Sequence, residues 1–501
     1  MKFIVASLLM FVLILFTSCD EIGKDDCPVV DYVNSFLAEN EEIVFYGNAG
    51  ISEIVDKTGI YGIEGIGEVA KEQMSEIKEG LVLEERLYFA LGGPLGRDGS
   101  PSTTYLFMHV RDQEKLEDYL SANGFLFEEE DGLKISEDVG AALGMTDDLI
   151  IMVDAGFNGD SKGLMKKAFE AANKKDVNDQ IAETLKQSGD INLTTHFQNL
   201  YSTSNTDLTK LPEEKQKKIQ EMAAGSFATT SLRFLPGKLE IESVLDLNEK
   251  MEEFFVFNES QSTDIISKIG PGIAKAGFTL DLNIEKIDAL LDEYLPEAKE
   301  EVYAQLELGG DILKATGVKN LSQILDGTIG IALLGDENGI NMDSPKVHLF
   351  AGVNESSSMI ADFLTDLLEE GEIEKVGKGV YRSKDAVAKL IGDELILKAN
   401  YNDEEVSLNP EKAEIPGKIS NFGKQPMTMF IDVEAITKQS LGIDPMVEEV
   451  VGLVDYITLE AGNHGGKFEI IMHDKSSNIL EGILMNFRGQ IEGMAQDGLA
   501  I

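Results

Sequence analysis

The chain has 501 residues, of which 43% are apolar and 27% are charged, a composition typical of a globular protein long enough for two domains. Its formal charge of −47 comes from acids spread along the whole chain, and such a surface repels nucleic-acid backbones and anionic lipid headgroups. The sequence therefore argues against a nucleic-acid partner and favours a folded body over a disordered one.

Residues 1–18 have the pattern of an export signal. Lys2 supplies the positive start, and the apolar run from Phe3 to Phe16 is too short to span a bilayer as an ordinary helix. The string LFTSC, which ends at Cys19, resembles the bacterial lipobox, in which the peptide is cut before the cysteine and the thiol is acylated. We expect a lipid anchor at Cys19, with a plain secretory signal or an uncleaved anchor as the alternatives.

Residues 19–32 are expected to form an acidic tether, because DEIGKDD after Cys19 is polar and contains glycine. In Bacteroidetes lipoproteins, acids in this place resemble a signal for export to the cell surface, whereas Asp20 in enterobacterial sorting would indicate inner-membrane retention. Cys27 is expected to be a free thiol, since a bridge to Cys19 would close a loop too short to stabilise the fold. The prediction is a cell-envelope protein at the outer membrane, on its periplasmic or surface face.

From residue 33 onward, the predicted fold is α+β, with two tandem repeats at 33–258 and 259–501. In the first repeat, short β-branched and aromatic runs predict strands, and helical apolar spacing predicts helices. The predicted strands are 86–92, 103–110, 124–130, 132–136, 139–145, 148–154, 226–236 and 238–247, and the predicted helices are 112–122, 161–187 and 208–223. Because tight turns join many of these strands, each repeat is expected to be a mainly antiparallel sheet with helices over one face.

The second repeat is predicted from self-similarity. RLYFALGGP and TTYLFMHVRDQEKLEDYL recur in order as TIGIALLGD and KVHLFAGVNESSSMIADFL, about 243 residues later. TTSLRFLPGKLEIESVLDLN recurs as YITLEAGNHGGKFEIIMHDKSSN, about 229 residues later. The shared residues are turn and core residues, which predicts a shared fold rather than shared chemistry. No histidine recurs, and this argues against paired sites built on histidine.

Two strings resemble motifs of catalysis or phosphate binding. GDSKG at 159–163 puts Ser161 in the nucleophile position of G-x-S-x-G, but the predicted strand ends at Val153, too early for a strained strand-to-helix elbow. We expect Ser161 to be an ordinary residue at a helix N-terminus. GIYGIEGIG at 59–67 matches no phosphate-binding spacing and predicts a loop or a helix start.

Candidate metal ligands and histidines give no specific pattern. Oxygen donors that could hold calcium are close together in the loop GDENGINMD, at Asp336, Asn338, Asn341 and Asp343. This loop lacks EF-hand spacing, so a polar hairpin loop is expected and calcium stays the alternative. His473 and Asp474 are adjacent at a strand end and should point to opposite faces, and a surface role is expected for them and for His464. No zinc motif occurs. We expect no catalytic residue, no metal and no cofactor.

Together, LFTSC, the duplicated strand-and-helix pattern and the length resemble a family of uncharacterised Bacteroidetes cell-envelope lipoproteins, an internally duplicated domain of unknown function. The resemblance implies an anchored envelope protein and supplies no catalytic residues. The function expected is a non-enzymatic binding or scaffold lipoprotein that holds a protein, peptide or apolar ligand in a cleft between the repeats. The alternatives are a hydrolase that uses clustered carboxylates and a carrier of an apolar small molecule.

Overall fold

The structure is a computed structural model. It describes residues 28–63, 66–95, 100–138, 140–156, 159–174, 177–203, 212–258, 263–294, 320–336, 339–341, 344–354, 373–383, 386–391, 393–400, 409, 411–419, 421–437 and 450–486. Within these ranges, every helix is too short or too polar to cross a bilayer.

The chain divides into two compact units, and the first is discontinuous in sequence. Unit 1 takes Met1–Met251 together with Asp474–Ile501, and unit 2 takes Glu252–His473. The division after Met251 lies close to the repeat boundary predicted at 258, but the residues from Asp474 onward group with unit 1. In the described part of that segment, the helix at Ile479–Asn486 packs against the helix at Ile51–Thr58.

The described strands of unit 1 form an antiparallel sheet. They are β1 (Ile43–Ala49), β2 (Leu87–Gly92), β3 (Thr103–His109), β4 (Glu128–Glu130), β5 (Leu133–Asp138), β6 (Ala141–Met145), β7 (Leu149–Asp154), β8 (Ile191–His196), β9 (Phe227–Leu235) and β10 (Lys238–Asp246). Their order across the sheet is β10-β9-β8-β1-β2-β3-β7-β6-β5-β4.

The described strands of unit 2 are also paired antiparallel. They are β11 (Ile273–Asp281), β12 (Leu325–Gly335), β13 (Lys346–Val353), β14 (Glu374–Gly377), β15 (Val380–Arg382), β16 (Ala386–Ile391), β17 (Glu394–Ala399), β18 (Met427–Asp432), β19 (Val454–Gly462) and β20 (Gly465–Met472). Their order is β20-β19-β18-β11-β12-β13-β17-β16-β15-β14, which is the order of unit 1 with ten added to each strand number. The predicted α+β class and the antiparallel sheet are confirmed.

Helices lie between these strands in both units. The described α-helices are α1 (Pro28–Glu39), α2 (Ile51–Thr58), α3 (Gly67–Gly80), α4 (Gln113–Ala122), α5 (Ser161–Ala172), α6 (Asp179–Leu185), α7 (Phe197–Thr203), α8 (Glu213–Ala223), α9 (Thr263–Ile266), α10 (Ile284–Tyr294), α11 (Val433–Thr437) and α12 (Ile479–Asn486).

The sheet of unit 1 is covered on both faces. In β3, Tyr105 joins the apolar cluster to which α1 and α5 contribute Phe36 and Phe169. Met108, which points to the other face, joins a second cluster together with Leu116 of α4. The expectation of helices over one face is therefore wrong for this unit. The continuous apolar run LIIMV of β7 indicates this cover on both faces. All five of its residues are buried, as in strands covered on both sides.

Helix α1 begins inside the segment expected to be a tether. Residues 28–32, the end of the predicted tether, belong to α1. Val29 and Val33 have no exposed surface and Phe36 is 1% exposed, so the helix is held by an apolar stripe at helical spacing. The acidic run ahead of α1 hid this stripe, since a polar run alone favours a flexible segment.

The apolar cluster found among the described residues of unit 2 lies on one face of its sheet. Phe350, Ile396 and Phe430, from three different strands, pack there with Phe422, whose ring centroid is 4.8 Å from that of Phe430. Ile265 of α9 packs on the same cluster. Burial of large side chains at this face contributes about 2 kcal/mol for each of them.

Candidate functional site

The predicted acylation site has no structural description. Cys19 and Cys27 both lie outside the described residues, which begin at residue 28. The acyl anchor therefore stays a prediction from the sequence.

Ser161 has a structural role. It is the first residue of α5, as expected, but the side chain that caps this helix belongs to Asp160, whose Oδ1 accepts from the Gly163 amide at 2.9 Å. The Ser161 hydroxyl donates to the Gly140 carbonyl at 2.6 Å and accepts from the Ala155 amide at 3.1 Å. Because this hydroxyl is buried and bonded to the backbone on both sides, its arrangement does not suit a nucleophile.

The candidate calcium loop is described only in part. Asn338 and Asp343 lie outside the described residues, whereas Asp336 and Asn341 lie within them. Backbone hydrogen bonds join Asp336 and Gly339 in both directions, at 3.0 and 3.3 Å. The described part is thus an isolated antiparallel bridge, and both the hairpin loop and the calcium alternative stay predictions.

His473 and Asp474 point to different partners, as their adjacency predicted. The Nδ1 atom of His473 lies 3.8 Å from Oδ1 of Asp455. Asp474 accepts from the hydroxyl and the amide of Ser476 at 2.6 and 2.8 Å, and these bonds lower the pKa of Asp474 to about 2. His464 packs edge-on against Phe255, with ring centroids 5.1 Å apart.

Unit 1 contains a buried polar network that the sequence analysis missed. Asn48 and Asn192 face each other across β1 and β8, and the Asn192 amide donates to Oδ1 of Asn48 at 2.8 Å. Nε of Arg86 donates to the same oxygen at 2.7 Å. Oδ1 of Asn192 accepts from the Ser231 hydroxyl at 2.7 Å and from the Gly189 amide at 3.2 Å. This asparagine network ties β1, β8 and β9 to the loop that precedes β8.

Unit 2 buries a histidine and a lysine side by side. His348 of β13 and Lys398 of β17 are direct cross-strand partners, and each is 1% exposed. Nδ1 of His348 lies 3.2 Å from the Ile269 carbonyl. Burial, and next the Lys398 ammonium, lower the pKa of His348 to about 4, while burial also lowers the pKa of Lys398.

A second group of charged residues lies at one corner of unit 2. Glu434 of α11, Asp455 of β19 and His473, which follows β20, place one donor atom each within 4.8 Å of one another. Nζ of Lys418 lies 3.2 Å from Oδ2 of Asp455 and 4.7 Å from the centroid of the Tyr456 ring. We call Glu434, Asp455 and His473 the charged corner.

A bulge in β19 explains how the charged corner forms. Val454 pairs with Met472 and Tyr456 pairs with Ile471, so β19 contains one extra residue, Asp455, between these two pairs. A bulge of this kind re-aims a side chain and is common next to functional sites. Asp455 is 4% exposed, whereas Glu434 and His473 are exposed.

A surface hollow in unit 1 does not indicate a ligand-binding site. The hollow, of about 450 Å³, is lined by charged side chains, among them Arg111 and Lys115. These two cations form ion pairs with Glu84 and Glu79, at 2.6 and 2.9 Å. Exposed pairs of this kind stabilise a surface weakly and indicate no ligand.

Comparisons with known proteins assign no family. No family profile and no curated protein matches this chain. Among solved structures, crystal form I of the protein TP0453 aligns with 75% of this chain and 92% of its own, at 11% identity and a TM-score of 0.19. A similarity at that TM-score establishes neither a shared fold nor a function.

Proposed function

We propose that this chain is a lipid-anchored protein of the bacterial cell envelope, attached through Cys19 at the outer membrane, and that it binds a partner or ligand rather than catalysing a reaction. The observation that carries the proposal is the leader ending in LFTSC, followed by acidic residues. The surface charge of −47 suits attachment by acyl chains, since such a surface gains no attraction from anionic headgroups.

The proposal includes a duplication of one α+β repeat. Two observations support it: the recurrence of sequence segments, and the identical order of the ten described strands in each unit. The two units carry different polar side chains at equivalent positions. The asparagine network of unit 1 and the charged corner of unit 2 are two examples. A duplicated scaffold whose copies have diverged in this way suits binding, because each copy can present different residues on the same frame.

The anchor is tested with the two cysteines of the chain. In cells fed an alkyne-tagged fatty acid, we expect Cys19→Ala to abolish labelling, because the acylated thiol is gone, while Cys27→Ala keeps full labelling. The intact mass of the Cys27→Ala protein should match a chain that begins at Cys19 and carries acyl groups. Labelling of the Cys19→Ala protein at the wild-type level would contradict the anchor.

The binding role is tested by native mass spectrometry of the protein released from its own membranes. We expect an added mass in a fixed ratio, either a small molecule or a whole polypeptide, which is lost when the protein is unfolded and refolded. A small-molecule mass beyond the acyl groups at Cys19 identifies a carrier, and a polypeptide mass identifies a scaffold. A protein that carries neither mass, and gains neither when membrane extract is added back, would contradict a binding role.

A further inference from the structure

We propose that the charged corner, Glu434, Asp455 and His473, is a binding site for one divalent transition-metal ion of the zinc type. The inference goes beyond the proposed envelope function and does not depend on it. It departs from the sequence expectation of no metal, because the three residues are far apart in the chain and form no motif.

The geometry of the donor atoms suits such an ion. Around zinc, bonds of 2.0 to 2.2 Å in a tetrahedron place donor atoms about 3.4 Å apart. Nδ1 of His473 and Oδ1 of Asp455 are 3.8 Å apart, and all three donors lie within 4.8 Å. Rotation of the exposed Glu434 and His473 side chains towards the buried Asp455 closes the remaining gap. Three protein ligands then leave a fourth position for water.

The donor types select among ions. One imidazole nitrogen and two carboxylates suit zinc and similar divalent ions, whereas calcium prefers six or more oxygen ligands. The charged corner offers calcium too few oxygens.

Unit 1 shows what the same corner looks like without charged donors. The strand registers make Gln198, Ser226 and Asn248 the counterparts of Glu434, Asp455 and His473. There the Ser226 hydroxyl accepts from the Asn248 amide at 3.1 Å, and the Asn248 side chain donates to the Met222 and Ala224 carbonyls at 2.7 Å each.

The fold alone therefore does not require charge at this corner. Ser226 is fully buried, and its counterpart Asp455 is nearly so. Unit 2 therefore has a buried carboxylate where unit 1 has a neutral hydroxyl. Burial of a carboxylate is costly unless a cation accompanies it. In unit 2 Lys418 is such a cation, and the proposed metal would be a second one.

Lys418 is a cation that pairs with Asp455 in the structure. Its Nζ lies 3.2 and 3.4 Å from the two oxygens of Asp455, yet its side chain is 64% exposed. An exposed lysine on a flexible stem can leave at little cost when a divalent ion binds the same carboxylate. Metal and ammonium then compete for Asp455, and this competition gives the proposal its sharpest test.

The test is calorimetric titration of the full chain with Zn²⁺, Mn²⁺ and Ca²⁺. We expect one Zn²⁺ site that is at least tenfold weaker in His473→Ala and several-fold tighter in Lys418→Met, with Ca²⁺ much weaker than Zn²⁺. His464→Ala, which removes an exposed histidine of the same unit outside the charged corner, is the matched control and should bind as the wild type does.

Cobalt supplies a spectroscopic readout, its visible absorption. General attraction of the ion to an acidic surface would not change this absorption. Co²⁺ bound by the charged corner should give visible absorption in the wild type and in Lys418→Met but not in His473→Ala. Circular dichroism of each variant shows that it is folded before titration. Equal Zn²⁺ affinity in the wild type and His473→Ala, or an equal loss in His464→Ala, would overturn the proposal.

Discussion

Asn192→Leu should lower the free energy of unfolding of unit 1 by about 4 kcal/mol, because it removes all the hydrogen bonds of a buried side chain and takes the acceptor away from the Gly189 amide. The Asn192 amide donates to Asn48 and to the Gln187 carbonyl, both at 2.8 Å, and its oxygen accepts from Ser231 and Gly189. Asn48 is fully buried and Asn192 is 1% exposed, so water cannot replace these bonds. Each unsatisfied buried group costs about 1 to 3 kcal/mol.

Hydrogen exchange measured by mass spectrometry in increasing urea checks this prediction, since peptides from β1, β8 and β9 report on unit 1 separately. Asn123→Ala is the matched control: its amide donates to the Tyr119 carbonyl at 2.8 Å, but the residue is exposed, and its loss should cost less than about 1 kcal/mol. Ser231→Ala should fall between the two. A loss below about 1 kcal/mol in Asn192→Leu would contradict the role of the asparagine network.

Unit 2 has a smaller buried polar group at the position that corresponds to the asparagine network. The strand registers make Thr279 and Thr428 the counterparts of Asn48 and Asn192, and their hydroxyl oxygens lie 2.6 Å apart in a buried pair. Each unit therefore has a buried polar pair between corresponding strands, β1 and β8 in unit 1 and β11 and β18 in unit 2. Unit 1 extends it with Arg86 and the loop before β8, which is why the largest effect is expected there.

His348 should make unit 2 lose stability as the pH falls from about 6.5 to about 4. Its pKa in the folded protein is about 4, below the ordinary value of 6.5, because burial and the Lys398 ammonium disfavour the imidazolium. Between these two values the unfolded chain binds the proton and the folded chain does not, so stability present above about pH 6.5 is lost on acidification. Over this window the loss is about 3 kcal/mol.

His348→Gln should remove this component, because glutamine does not titrate and keeps a donor for the Ile269 carbonyl. The measurement is urea unfolding of unit 2 at a series of pH values, with the variant subtracted from the wild type so that the many carboxylates cancel. Lys398→Met should make the loss smaller, because without the ammonium the pKa of His348 in the folded protein rises towards the unfolded value. His464→Gln is the control. Equal pH dependence in wild type and His348→Gln would contradict the assignment.

Local sequence pattern predicted some of the regular elements of unit 1 closely, but it did not predict β1 or β8. The predicted strands 103–110 and 148–154 are found at Thr103–His109 and Leu149–Asp154, within one residue at each end. The helix predicted at 161–187 is instead two helices, α5 and α6. Asn178 separates them, since its side chain accepts from the amides of Gln180 and Ile181 and so starts α6. The asparagine in that stretch is the signal that the apolar spacing alone did not show.

The polar sites could not be predicted in the same way. Asn48 and Asn192 meet only because β1 and β8 are neighbours in the sheet, and nothing local to either residue indicates the other. The charged corner likewise depends on the bulge at Asp455 and on the ends of three elements. Lys398 is an exception, because the sequence indicates it locally. In the strand ELILKA it shares a face with the buried Ile396, and a cation on the apolar face of a strand indicates an unusual buried charge.

The return of α12 to unit 1 has a consequence for biogenesis. The Asn478 amide ahead of α12 donates to the Phe234 carbonyl at 2.8 Å, and Leu480 packs on the apolar cluster that contains Leu116. During synthesis from the N-terminus, these contacts cannot form until unit 2 has been made in full. Until then unit 1 lacks α12, and the apolar surface that Leu480 covers stays exposed to solvent. A fragment that ends near residue 258 lacks α12 and leaves this part of the apolar cluster uncovered.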